Sequence, residues 1–133
     1  MQLAIIGSRH YPNLTHVIAY VRTLPSGTTV ITGDAPGVDE TVQRAARAMG
    51  LALHTFDTDW ARYGQAAGQR GAISLVTMAD QLLAFWDTRS PATAHTISMA
   101  IAARKPVLVV HHDGTEHLYG HPNPTPLHAT QSK

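Results

Sequence analysis

Short β-branched or leucine-rich runs alternate along this chain with longer stretches in which apolar residues recur at helical spacing. Leu3 to Ile6 is an apolar run closed by Gly7, too short to nucleate a helix and suited to a buried parallel strand. From Asn13 to Leu24, Leu14, Val17, Ile18, Val21 and Leu24 predict an amphipathic helix that Pro25-Ser26-Gly27 stops. Thr28 to Thr32, β-branched at nearly every position, predicts a second strand that ends in the turn Gly33-Asp34-Ala35-Pro36-Gly37. Val38, Val42, Ala45, Ala46 and Met49 predict a second helix with a glycine stop at Gly50. Leu51 to Phe56 reads as a third strand, and the polar stretch from Asp57 to Gln69 as a long loop. A helix over 72–79, a strand over 81–86, a helix over 93–104 and a strand over 106–110 follow.

The series βαβαβαβαβ predicts an α/β fold, a Rossmann-like three-layer sandwich around a five-stranded parallel sheet of order 3-2-1-4-5, because parallel neighbours need crossover helices. Residues 1–110 are expected to form one nucleotide-binding domain. From His111 to Lys133 the chain is rich in His, Pro, Gly and Thr without an apolar period, which predicts a loose tail or an arm on a neighbour.

Composition changes this picture in few places. The 133 residues suit one domain, and 44% hydrophobic with 14% charged residues describes an ordinary globular interior under a lightly charged surface. A formal net charge of +1 gives no broad field for nucleic acid or an anionic membrane, so neither is an expected partner. The absence of cysteine excludes thiolate nucleophiles, Cys-based zinc sites and disulfides. The first residues have none of the features of a secretory signal or membrane span, and a cytoplasmic protein is expected.

Open parallel sheets bind ligands beyond the carboxyl ends of their strands, where strand order reverses. The predicted order collects Gly7-Ser8-Arg9, the turn from Gly33 to Asp39, the Trp60 loop and Asp87 to His95 at that edge. Gly7, Gly33 and Gly37 would let backbone approach a phosphate, and the helix N-termini behind them favour an anion. Ser8, Ser90 and Thr93 offer hydroxyls, and Arg9 a planar, permanently charged fork. Neither turn is a dinucleotide fingerprint or a Walker loop. Asp34 and Asp39 would orient a ribose hydroxyl or a cation, or cap a helix. Trp60 would stack on a base or anchor its loop, as would Tyr63, whereas Trp86 at the end of a strand reads as core. His95 would act as a general acid or phosphate partner, or serve as a capping or interface residue. The histidines at 111, 112, 117, 121 and 128 lie in a segment without the rigid frame that metal ligation needs, so no metal site is expected, and no cofactor.

These motifs resemble the YspA-like branch of the SLOG superfamily, related to DprA and to the LONELY GUY phosphoribohydrolases. The resemblance runs through Gly7-Ser8-Arg9, Thr32-Gly33-Asp34-Ala35-Pro36-Gly37-Val38-Asp39, Asp59-Trp60, Gly64-Gln65-Ala66-Ala67-Gly68, Ala84-Phe85-Trp86-Asp87 and Ser90 to His95. It implies a Rossmannoid fold, a homo-oligomer (dimer or tetramer), and binding of nucleotides or nucleotide-derived sugars such as ADP-ribose relatives. In the hydrolytic relatives an arginine and a glutamate after a glycine-threonine turn cleave the bond between base and ribose. Arg70 matches that arginine, but Ala92-Thr93 replaces the glycine-threonine pair and Thr96 stands near the glutamate position. The expectation is therefore a module that senses or sequesters a phosphate-bearing, nucleotide-derived small molecule such as an ADP-ribose or cyclic ADP-ribose relative. The alternative is an N-glycosidic hydrolase using Arg70, with Asp39 or His95 in acid–base roles.

Overall fold

The computed structural model describes residues 1–34, 36–56 and 65–120, the last range without the side chains of 65–71. The elements run β1 (Gln2–Gly7), α1 (Leu14–Arg22), β2 (Thr29–Thr32), α2 (Val38–Ala48), β3 (Ala52–Thr55), α3 (Gln65–Met78), β4 (Gln81–Trp86), α4 (Pro91–Ala102), β5 (Val107–His111) and β6 (Glu116–Tyr119). They build one six-stranded sheet of order β3-β2-β1-β4-β5-β6. The first five strands are parallel neighbours in the expected order, and β6 pairs antiparallel with β5.

Apolar alternation splits the core into two layers. Leu3, Ile5, Val30, Leu83, Phe85 and Val110 face α1 and α2, packing on Val17, Val21, Val38 and Val42. Ala4, Ile6, Ile31, Leu82, Ala84, Val107 and Val109 face α3 and α4, packing on Leu75, Val76, Ile97 and Ala100. The central strand β4 is therefore buried on both sides, as a strand between two parallel neighbours must be.

Local chemistry explains the helix starts near the carboxyl edge. The Asn13 side chain accepts from the His16 N–H at 3.3 Å and caps α1. Ser90 caps α4 by accepting from the Thr93 N–H at 3.4 Å, with Pro91 in the first turn, where its missing N–H costs nothing.

Two expectations are corrected. Helix α3 begins at Gln65, inside the stretch read as loop to Gln69 and ahead of the expected start at Ala72. Gly68 and Gly71 lie inside this helix, and glycine in a helix costs only about 1 kcal/mol each. The sheet has six strands rather than five, because the segment from His111 supplies the end of β5 and all of β6. All four β6 residues are exposed, so the strand carries no apolar alternation for a sequence pattern to register. Its signal was instead the turn at Asp113-Gly114, where Gly114 takes φ +90° and its N–H donates to the His111 carbonyl at 2.9 Å. Ala35, the loop with Trp60 and Tyr63, the side chain of Arg70, and His121, His128 and the rest of the tail from 121 lie outside the described residues.

Candidate functional site

The chain leaves β1 for α1 on one face of the sheet and leaves β4 for α4 on the other. Between these diverging connections, at the carboxyl edge, lies a cleft of about 650 Å³. Arg9, His10 and Pro12 line it from the loop after β1, Asp87, Thr88, Arg89 and Ser90 from the turn after β4, and His112 from the hairpin after β5. The lining thus carries two arginines, two histidines and one aspartate.

That carboxylate organises the turn. Asp87 Oδ1 accepts the N–H groups of Arg89 and Ser90, each at 2.8 Å. Burial pushes its carboxyl up, but these bonds and the Ser8 hydroxyl outweigh it and hold Asp87 below the ordinary carboxylate range. Thr88 between them takes φ +66°, a left-handed conformation that a β-branched residue adopts only when its surroundings impose it. The result fixes the Arg89 backbone at the rim of the cleft.

Beneath the rim lies a chain of hydroxyls, buried at Ser8 and Thr93 and half-buried at Ser90. Ser8 donates its N–H to the Phe85 carbonyl at 2.9 Å, and its Oγ accepts the Asp87 N–H at 3.1 Å. Ser8 Oγ also lies 3.4 Å from Thr93 Oγ1, which bonds Ser90 Oγ at 3.2 Å. The Trp86 indole N–H donates to the Ser90 carbonyl at 3.1 Å. Ser8, Asp87, Ser90 and Thr93, separated by up to 85 positions, are thereby joined in one network that locks the start of α4 to the end of β1.

The glycines meet protein at close range. A Cβ on Gly7 would lie 2.4 Å from Val38, so Gly7 lets the first turn of α2 rest directly on β1. Gly37, at φ +89°, brings its Cα against the Arg9 carbonyl, which would lie 2.6 Å from an added Cβ. The second turn is acidic where the first is basic. Asp34 is exposed, and Asp39 and Glu40 occupy the first turn of α2. Asp39 Oδ1 accepts from Thr32 Oγ1 at 3.3 Å, and the Gly33 carbonyl accepts from Gln43 Nε2 at 2.7 Å. His95 is exposed on the first turns of α4 and is not among the residues lining the cleft. Thr96, near the position of the hydrolytic glutamate, is buried and donates its hydroxyl to the Ala92 carbonyl at 3.0 Å.

Sequence reasoning placed Thr88 and Arg89 at this edge within the Asp87 to His95 segment without giving either a role, and gave none to His10 or His112. The first three adjoin residues it had chosen, so adjacency to Arg9 and Asp87 was the available signal. His112 reaches the cleft through the β5–β6 hairpin, which had not been expected. Among the described residues, no group of three or more His, Asp or Glu could hold a metal, and no helix is long and apolar enough to cross a membrane.

No family model matches the chain, and no curated protein matches it. A solved structure of Can2 from Sulfobacillus thermosulfidooxidans in complex with cyclic tetra-adenylate is similar at 17% identity and a TM-score of 0.45. The match covers 96% of this chain but only 40% of that one, and a likeness this distant assigns neither fold nor ligand.

Proposed function

We propose that this chain is a SLOG-type binding module whose cleft holds a phosphate-bearing, nucleotide-derived small molecule, such as an ADP-ribose or cyclic ADP-ribose relative, without cleaving it. The observation that carries the reading is the basic cleft at the point where strand order reverses, with Arg9, Arg89, His10 and His112 around the capped start of α4. Guanidiniums grip phosphate oxygens through paired, charge-assisted hydrogen bonds, and the helix N-terminus adds a favourable dipole. A volume of about 650 Å³ is that of a site for a whole small molecule rather than a lone inorganic anion. The threonine bonded into α4 where hydrolytic relatives carry glutamate supports binding over cleavage.

Titration calorimetry with ADP-ribose, cyclic ADP-ribose and nucleoside mono- and diphosphates tests the reading. At least one is expected to bind well below millimolar. Arg9→Ala and Arg89→Ala should each weaken it about 10-fold or more, the worth of a charge-assisted hydrogen bond. Binding no tighter than millimolar across that panel, or unchanged affinity in both variants, would reject the proposal.

A further inference from the structure

Strand β6 ends the sheet, and no described strand pairs with its outer side. Edge strands are normally blunted by brevity, charge, proline or a bulge; Glu116–Tyr119 is short and carries one acidic side chain, but it contains no lysine or proline and pairs with β5 without a bulge. It also exposes apolar surface on both faces. Leu118, 47% exposed, sits opposite Leu108 and so lies on the α1 side. Tyr119, 43% exposed, continues a row of rings on the α4 side. In that row Trp86 meets His111 at 5.9 Å, His111 meets His117 at 5.2 Å and His117 meets Tyr119 at 6.2 Å between ring centroids.

The backbone phase of the strand is fixed by the hairpin. The His111 N–H donates to the Thr115 carbonyl at 2.8 Å, so residues 115, 117 and 119 turn their N–H and C=O groups toward β5. Glu116 and Leu118 therefore turn theirs outward. We infer that this edge pairs with β6 of a second copy of the chain, antiparallel, about a two-fold axis through Leu118, to make one continuous sheet across a dimer.

Side-chain chemistry selects that register. An axis perpendicular to the sheet keeps each face on its own side, so even-numbered residues meet even and odd meet odd. With the axis at Leu118, leucine meets its own copy on one face while His117 meets the partner's Tyr119 on the other, extending the ring row across the axis. The outward Leu118 N–H and C=O groups then bond reciprocally. An axis at Glu116 would oppose two carboxylates, and one at His117 would set Glu116 against leucine; both are unfavourable cross-strand pairs.

The chain contains no cysteine, so a single introduced thiol reports on its own position. Wild-type protein in sedimentation velocity should show twice the 14.3 kDa chain mass. Leu118→Cys under mild oxidation, or with a short bis-maleimide, should give a covalent dimer. Ile73→Cys, on exposed α3, should stay monomeric on a denaturing gel. Leu118→Arg, with unchanged circular dichroism, should sediment as a monomer. A monomeric wild type would overturn the inference, as it would if the chain beyond Gly120 or another partner covers the edge. So would a dimer that cross-links through His117→Cys but not Leu118→Cys, or through neither.

Discussion

Asp87 shows how one side chain sets the shape of a basic cleft. It lines the cleft with Arg9, Arg89, His10 and His112, and its Oδ1 accepts the N–H groups of Arg89 and Ser90. It thus holds the turn in which Thr88 adopts φ +66°. Its folded pKa lies below the ordinary value of 3.8, so the unfolded chain takes up its proton first as pH falls. The stabilisation is full above that ordinary value and disappears as pH drops through the lowered one. Asp87→Ala should lose about 1 kcal/mol at neutral pH, the scale of a partly exposed hydrogen bond. It should also flatten the acid limb of a plot of denaturant midpoint against pH. An acid limb identical to wild type would mean that Asp87 does not hold the turn through its charge.

At the scale of elements, the two glycine turns do their close packing on each other's neighbourhood. Val38 occupies the space above Gly7, and Gly37 lies against the Arg9 carbonyl, so the layer formed by α2 is set directly on the connection that carries Arg9. Gly7→Ala would push a methyl group into Val38 and lift the start of α2. The expected cost is about 1–3 kcal/mol, typical of overpacking a tight interior contact, and would appear as a lower denaturant midpoint with an unchanged slope. In a double-mutant cycle with Val38→Gly, which removes the Val38 Cβ as well as its methyl groups, the cost of Gly7→Ala should fall, whereas an equal cost in both backgrounds would exclude this contact as its cause. Glycine followed by an apolar helix start was visible in the sequence. That the two turns press together was not, because they come from different loops and meet only once β1 and β2 pair.

Across the whole molecule, Tyr11 links distant parts of the chain. It is buried against Phe85 at a ring distance of 5.5 Å, and its hydroxyl donates to the His111 carbonyl at 3.0 Å. It joins the loop after β1 to the hairpin that brings His112 to the cleft. Burial, with a smaller contribution from the Asp113 charge, pushes its phenol up to about 12. Between the ordinary value of 10.0 and about 12 the unfolded chain loses this proton while the folded chain keeps it, so stability falls as pH rises through that window. Tyr11→Phe should lower stability by about 1 kcal/mol at neutral pH and remove that alkaline decline. Thermal unfolding followed from neutral to alkaline pH measures both, and an undiminished decline in the variant would assign it to another group.

The sequence by itself determined the α/β class, the order of the first five strands and the glycine and Asp87–Thr93 segments at the carboxyl edge. These follow from short-range rules: apolar period, breakers and caps act within a few residues, and the crossover rule converts their alternation into a parallel sheet. The tertiary structure alone decided that Gly7 and Gly37 are filled by Val38 and the Arg9 carbonyl, and that Arg89 and His112 join Arg9. It alone decided, too, that an unpatterned segment becomes the sixth strand. The physical reason is common to all three. Each depends on contacts between segments far apart in the chain, and an edge strand or a cleft rim gains its partners from neighbouring backbone rather than from any periodicity of its own.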